Sequence, residues 1–125
     1  MDIDDFKNVN DTMGHTGGDH LLRQVAEVLS TTVRDSDYIC RLGGDEFAVM
    51  LPETDYKGSL KLFAKLHLQL LELTKSTDAK FGVSIGVGIF QKNIPSFKEA
   101  LKYTDNLMYN VKKSGKNDVI YKFYD

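Results

Sequence analysis

The feature that most constrains the fold of this chain is a run of strictly alternating residues between Phe81 and Ile89. Every second residue there is large and apolar, and the residues between are glycine or serine. A period of two is typical of a β-strand, because successive side chains point to opposite faces of the sheet. One face of this strand therefore carries only small residues, so another backbone or a helix can pack close to it.

The rest of the chain alternates between helical and strand-like patterns. Helical spacing of apolar residues predicts helices over 21–33, 56–75 and 97–113, the last with Phe97 facing inward. Short apolar runs predict a first strand at 1–4, a β-hairpin from 38 to 51 and a last strand at 119–123. This order indicates an α+β or α/β sandwich, in which one sheet has helices packed on its faces.

Composition places the chain among ordinary globular proteins. It has 125 residues, which suits a single domain over 1–125, with 16 basic and 18 acidic residues and 42% hydrophobic residues. This balance excludes a disordered tail and a basic scaffold for a nucleic acid polymer. No apolar run approaches the ~20 residues that span a bilayer. One cysteine and three histidines leave zinc too few ligands, whereas a hard-cation site of carboxylates stays open.

The first candidate site is Asp2-Ile3-Asp4-Asp5-Phe6-Lys7, where the first strand ends. Asp2 and Asp4 would lie on one face of a strand and could share a hard cation such as Mg²⁺. The turn that follows offers backbone N–H groups and a lysine to a phosphate. A solvated acidic segment with no ligand explains the same residues.

The tip of the predicted hairpin, Gly43-Gly44-Asp45-Glu46-Phe47, is a second candidate. Two glycines remove side chains where a ligand could lie against the backbone, and two carboxylates could hold a metal ion. An ordinary Gly-Gly turn is the alternative.

Two further polar clusters could bind a nucleotide. The stretch from Asn10 to Asp19 holds three glycines and is predicted to be a loop. Asp19 could accept from N1–H and the amino group of guanine while Asn10 serves O6, or Asp19 could cap the helix that follows. Lys112 to Lys116 could contact phosphates or form a charged helix end. The chain has no Gly-x4-Gly-Lys-Ser/Thr phosphate loop, so metal held by carboxylates would have to do its work.

The order and spacing of these motifs match one family. The string 43–47 spells the name of the GGDEF domain of diguanylate cyclases, and the chain resembles that family from Asp2 to Asn117. Segment 2–11 is similar to its Asp-Ile-Asp-x-Phe-Lys-x-Ile-Asn-Asp, and 14–19 to its Gly-His-x-x-Gly-Asp. The resemblance implies a nucleotidyl-cyclase-like fold with a ferredoxin-like core. In it a central, mostly antiparallel sheet is flanked by helices, and a β-hairpin carries Gly43 to Phe47.

The resemblance also implies an activity and a site. Such domains join two GTP molecules into cyclic di-GMP with release of pyrophosphate, as head-to-tail homodimers with two Mg²⁺ or Mn²⁺ ions per active site. The implied catalytic residues are Asp45 and Glu46, and the implied metal ligands are Asp2, the Ile3 carbonyl, Asp45 and Glu46. The implied GTP-binding residues are Asp5, Phe6, Lys7, Asn10, Asp19, Gly43, Gly44, Lys112 and Lys116.

Arg34-Asp35-Ser36-Asp37 is similar to the family's Arg-x-x-Asp inhibitory site. Arg34 and Asp37 would then bind the product cyclic di-GMP and inhibit the enzyme, whereas a charged turn after a helix is the alternative. Lys116 stands where the family usually has arginine, which keeps the charge but loses bidentate phosphate geometry.

The family further implies a helix and most of a first strand before Asp2. The domain is therefore expected to be N-terminally incomplete, with Asp2 at a fraying end. It would be cytoplasmic, alone or as the cytosolic part of a membrane-anchored sensor, under an upstream sensory or regulatory domain. Two other functions stay open. One is a regulatory module that binds GTP or cyclic di-GMP without chemistry, and the other is a partial domain that exchanges a strand.

Overall fold

The computed structural model describes all residues, 1–125, and contains five strands and three helices. Along the chain these are β1 (Asp2–Asp4), α1 (Phe6–Thr32), β2 (Tyr38–Gly43), β3 (Glu46–Met50), α2 (Tyr56–Lys75), β4 (Gly82–Ile89), α3 (Phe97–Lys113) and β5 (Val119–Phe123). The strands form one open sheet in the order β2-β3-β1-β4-β5. Only β4 and β5 are parallel. The predicted α+β fold, with a mostly antiparallel sheet and a GGDEF hairpin, is confirmed.

The two faces of β4 pack against different helices. Its large residues, among them Val83 and Ile85, join the main core with buried residues of α1 and α2. Its small residues face α3, and a Cβ on Gly86 would collide with the Thr104 carbonyl and come within 2.6 Å of the Met108 nitrogen. The close approach predicted from the alternation is therefore confirmed, and α3 is the element that makes it.

The prediction of a loop from Asn10 to Asp19 was wrong. Helix α1 begins at Phe6 and runs through this stretch, with a kink at Gly14, where φ is 74° and ψ is 170°. The helix forms because Val9 is fully buried in the core, and this contact outweighs the low helix propensity of glycine. Asp19 lies inside α1, so it does not cap the helix.

Two smaller expectations also differ from the structure. Phe97 is 64% exposed rather than facing inward. The close contacts of α3 with β4 are made by Thr104, Leu107 and Met108, so the first turn of the helix lies at the surface. Asp2 does not fray, since β1 pairs with β3 on one side and β4 on the other. No helix is long and apolar enough to cross a membrane.

Candidate active site

The start of β1 and the tip of the β2–β3 hairpin bring three acidic residues together. Asp2 is opposite Glu46 in the antiparallel pairing of β1 with β3. The backbone N–H of Ile3 donates to the carbonyl of Asp45 over 3.2 Å, which fixes Asp45 beside β1. Asp2 is only 7% exposed, whereas Asp45 and Glu46 are half-buried. The structure thus places the four predicted metal-binding residues close to one another, at one end of the internal strands β1 and β3.

The carboxylates of this site have few positively charged neighbours. Burial is the largest of the causes that raise the pKa of Asp45 to about 6. The hydrogen bond that protonated Asp45 can donate to Asp2, and the negative charge of Asp2, are the other causes of this rise. Asp2 Oδ2 accepts from Lys112 Nζ over 2.6 Å, but Asp2 Oδ1 is buried and has no donor. Two neighbouring carboxylates repel each other when both are ionised, and a cation between or beside them relieves this repulsion. The donor set therefore suits a hard divalent ion.

Lys112 supplies part of that missing charge. Burial lowers the pKa of Lys112, but the hydrogen bond to Asp2 and the charge of Asp2 outweigh it, so the pKa is raised. No group of three acidic, histidine or cysteine side chains is close enough to hold a metal as it stands. Glu46 is adjacent to the Asp2–Asp45 pair, but the three side chains do not form a complete set of metal ligands. Asp2 is paired with Lys112 instead.

Asp4 does not share a cation with Asp2, as its position on the same face had suggested. Its Oδ1 accepts from Ser84 Oγ over 2.6 Å, and its Oδ2 accepts from the backbone N–H of Asn117 over 2.9 Å. Both oxygens are thus occupied in the interior, where the side chain is 2% exposed. Asp4 ties three elements together and is not free to bind a metal ion.

The turn from β1 into α1 has the features of a phosphate site. Asp5 has a left-handed backbone, with φ of 58°, and its side chain makes no capping hydrogen bond. The first N–H groups of a helix have no acceptor within the helix, so those of Phe6 and Lys7 face the turn. Lys116 reaches the same turn, with Nζ 2.9 Å from Asp5 Oδ1. The exposed side chain of Lys7 lies at this helix start.

The two predicted guanine-binding residues, Asn10 and Asp19, both lie on α1, on either side of the kink at Gly14. A Cβ on Gly18 would collide with Asn10 Oδ1, so the amide of Asn10 lies against the residue next to Asp19. Asp19 opens onto a cleft of about 350 Å³ between α1 and the hairpin. The cleft is also lined by Leu22, Arg23, Ala26, Arg41 and Phe47. Of these, only Phe47 belonged to a motif singled out from the sequence, although four residues, 19, 22, 23 and 26, have the spacing of one helix face.

Arg41 holds the tip of the hairpin in shape. Its Nε and Nη2 donate to the carbonyl of Gly44 over 2.9 and 2.7 Å. Gly43 and Gly44 have φ of 146° and 51°, and a Cβ on either would meet open space. The space beside the tip is therefore open, while its backbone is fixed by Arg41.

Arg34 and Asp37 lie together in the turn between α1 and β2. Arg34 Nη2 is 3.3 Å from Asp37 Oδ1, and the Arg34 backbone N–H donates to Asp37 Oδ2 over 2.8 Å. Arg34 also donates to the carbonyl of Pro52 and to Thr54 Oγ1. The two residues of the predicted inhibitory site are thus adjacent and oriented by neighbours.

Comparison with known proteins assigns this arrangement to a family. The family described as diguanylate cyclase, GGDEF domain, matches residues 1–118. The chain belongs to the GGDEF family. A curated relative, the diguanylate cyclase DosC of Escherichia coli, is 33% identical over 123 residues. That match covers 95% of this chain and 26% of DosC, so the GGDEF chain spans about a quarter of the relative's length.

Solved GGDEF structures share the fold. The active GGEEF domain of a diguanylate cyclase from Vibrio cholerae superposes with a TM-score of 0.85 at 24% identity, covering 99% of this chain and 80% of that one. The GGDEF domain of DgcB from Caulobacter crescentus, in complex with cyclic di-GMP, has a TM-score of 0.79 at 26% identity. That match covers 96% of this chain and 73% of the DgcB domain. GGDEF domains generally use divalent metal ions, which agrees with the donor set at Asp2 and Asp45.

Proposed function

We propose that this GGDEF domain condenses two GTP molecules into cyclic di-GMP, with release of two pyrophosphates, in a head-to-tail homodimer. The observation that carries the proposal is the Asp2–Asp45 pair, which a divalent cation would stabilise and which lies next to the turn at Asp5. A carboxylate pair of this kind suits a metal-bound triphosphate, and the chain has no phosphate loop to replace it.

Different residues of the site would bind the metal ions, the phosphates and the guanine. Asp2, the Ile3 carbonyl, Asp45 and Glu46 would hold two Mg²⁺ or Mn²⁺ ions. When bound, these ions neutralise phosphate charge and make the α-phosphorus more electrophilic. The β- and γ-phosphates would be bound by the N–H groups and side chains at Asp5, Phe6, Lys7, Lys112 and Lys116. The guanine would be read by Asn10 and Asp19, with Gly43 and Gly44 leaving room for the nucleotide.

Asp45 is the proposed general base. Its ionised carboxylate would accept the proton of the 3′-hydroxyl of the GTP held by the partner subunit. That oxygen would then bond to the α-phosphorus as the bond to pyrophosphate breaks, and a second such step would close the ring. The raised pKa of Asp45, about 6, makes it a better proton acceptor than an ordinary aspartate while it remains ionised at neutral pH.

The direct test is to incubate the chain with GTP and Mg²⁺ and to look for cyclic di-GMP by mass spectrometry. Light scattering on the same sample establishes whether it is dimeric. Formation of cyclic di-GMP supports the proposal. A folded dimer that makes none contradicts it. If such a dimer still binds cyclic di-GMP, a regulatory module without chemistry is indicated instead.

Location and regulation follow from the same proposal. Because GTP is a cytoplasmic substrate, we infer that the domain works in the cytoplasm. Because curated relatives are several times longer than this chain, we also infer regulation by an upstream sensory domain.

Replacing Arg34 with alanine is expected to relieve product inhibition. Arg34 would donate to a phosphate and a guanine of cyclic di-GMP, and losing charge-assisted bonds of this kind weakens binding by about ten-fold or more. Calorimetry with cyclic di-GMP and initial rates with added product would measure the change. Lys92→Ala is the matched control, because it removes an exposed positive charge outside the predicted product site and leaves Arg34, Asp37 and their neighbours in place. Equal inhibition of wild type and Arg34→Ala would remove Arg34 from the product site.

A further inference from the structure

The turn between α3 and β5 has an unusual backbone at Lys116. Gly115, Lys116 and Asn117 have φ of 120°, 65° and 50°. Glycine adopts positive φ freely and asparagine tolerates it, whereas lysine rarely does. The N–H of Lys116 donates to the carbonyl of Val111 over 3.0 Å, which ties one side of Lys116 to α3. A strained residue persists only where its surroundings hold it, so the other side needs an anchor as well.

Asn117 provides that anchor through contacts with three elements. Its backbone N–H donates to Asp4 Oδ2 on β1 over 2.9 Å. Its Oδ1 accepts from the N–H of Val83 on β4 over 3.1 Å and lies 3.2 Å from His67 Nε2 on α2. Because Oδ1 can only accept, His67 is the donor in the last contact. The side chain thus satisfies a backbone N–H of the sheet and fixes where Lys116 leaves α3.

The side chain of Asn117 packs directly against the backbone of Gly82 on β4. A Cβ on Gly82 would come within 2.8 Å of the Cβ and 2.9 Å of the Cγ of Asn117. Real Cβ atoms almost never approach this closely, so only glycine allows Asn117 to lie on β4. Asn117 and Gly82 are 35 positions apart in the sequence and depend on each other in the fold.

The same anchor sets the distance from Lys116 to the turn at Asp5. Asn117 is bonded to Asp4, and Lys116 pairs with Asp5, the residue that follows β1. Two consecutive residues of one segment therefore contact two consecutive residues of the other. We propose that Asn117 is a positioning residue that holds Lys116 on the phosphate-binding turn at Asp5. The proposal rests on the phosphate role assigned to that turn in the proposed function.

The test compares phosphate binding in matched variants. Asn117→Gly keeps the positive φ and the backbone bond to Asp4, and it removes only the side-chain anchor. The probe is Mg²⁺-tripolyphosphate, with binding measured by calorimetry on full chains shown to be folded by circular dichroism. We expect Asn117→Gly to weaken binding by about ten-fold, the loss of one charged contact. Gly82→Ala, which displaces the same side chain, is expected to weaken it similarly and provides a second route if Asn117→Gly does not fold.

Two further variants separate positioning from a general structural role. Glu53→Gly is the control, because Glu53 also has a positive φ, 58°, in a turn outside the site, and it should bind within about two-fold of wild type. In a Lys116→Ala background, Asn117→Gly should change binding by less than about two-fold, because the positioned group is gone. Under GTP turnover, Asn117→Gly should raise KM more than it lowers kcat.

The outcomes distinguish this proposal from the proposed function. An unchanged affinity in Asn117→Gly, or the same loss with and without Lys116, would overturn the positioning role. Failure of the wild-type chain to bind tripolyphosphate would overturn it too. If the wild type binds tripolyphosphate through Asn117 and Lys116 but makes no cyclic di-GMP, the positioning role holds and the proposed function fails.

Discussion

Replacing Asp45 with asparagine is expected to abolish cyclic di-GMP formation and, at the same time, to stabilise the fold. Asparagine keeps the size of the side chain but can neither accept a proton nor supply a charged ligand. Loss of a general base lowers rates by about 10²–10⁴-fold, and loss of a metal ligand adds to this. Turnover of GTP by Asp45→Asn should therefore fall below detection by mass spectrometry.

The gain in stability follows from the pKa of Asp45. The pKa is raised from 3.8 to about 6 by burial and by Asp2. Between these values the unfolded chain has released the proton while the folded chain still holds it, so stability falls as pH rises from about 4 to about 6. Above pH 6 the whole penalty is present, and Asn, which does not ionise, removes it. Because Asp45 is half-exposed and screened by solvent, the expected gain is only about 1 kcal/mol at pH 7.

Thermal unfolding in metal-free buffer would measure this gain. The melting temperature of Asp45→Asn should exceed that of wild type by about 4 °C at pH 7 and by less at pH 4. Asp78→Asn is the matched control, since Asp78 is exposed and lies outside the site, and it should change neither turnover nor stability. A lower melting temperature for Asp45→Asn would mean that burial and Asp2 do not destabilise the ionised form of Asp45. Retained turnover would remove Asp45 from the catalytic site.

Gly86→Ala is expected to have the largest effect on stability without touching a side chain of the site. The new Cβ would meet backbone atoms of α3, the Thr104 carbonyl and the Met108 nitrogen. Backbone cannot turn aside as a side chain can, so α3 must shift away from β4. Overpacking of this kind costs about 1–3 kcal/mol, and we expect the upper part of that range. The melting temperature should fall by about 10 °C.

Gly88→Ala offers a matched comparison on the same face of β4. There the nearest atoms are the Phe90 ring, at 3.0 Å, and the Thr104 methyl, at 3.1 Å. Both belong to side chains that can move by a few tenths of an ångström, so a loss of about 1 kcal/mol or less is expected. Urea unfolding of both variants would compare them. Equal losses would show that α3 is free to adjust and that the close approach at Gly86 is not required.

Much of the fold was predictable because its signals are local. The alternation in β4 indicated a strand with another backbone or a helix packed close to it, and apolar spacing predicted α2 and α3. The start of α1 was missed because three glycines indicated a loop, although Phe6, Val9 and Met13 have helical spacing. Burial of Val9 decided the outcome, and burial depends on the rest of the chain.

The site shows the same division. The motif strings named Asp2, Asp45 and Glu46, and the structure placed these residues side by side. No rule of sequence spacing could show that both carboxylate oxygens of Asp4 accept hydrogen bonds from Ser84 and Asn117, because those partners are 80 and 113 positions away. The sequence also did not predict that Arg41 donates to the carbonyl of Gly44, or that Arg34 donates to Pro52 and Thr54.

Residue types and their periodicity were enough to predict the layers and the hairpin of this chain, because side-chain direction repeats with the backbone. The family followed from the resemblance of its motif strings. The assembled fold decided which carboxylates stay free and which are tied down. It also raised the pKa of Asp45 and anchored Lys116 through Asn117 and Gly82. These properties depend on distances between strands and helices that are remote in sequence, and such distances exist only after the sheet has formed.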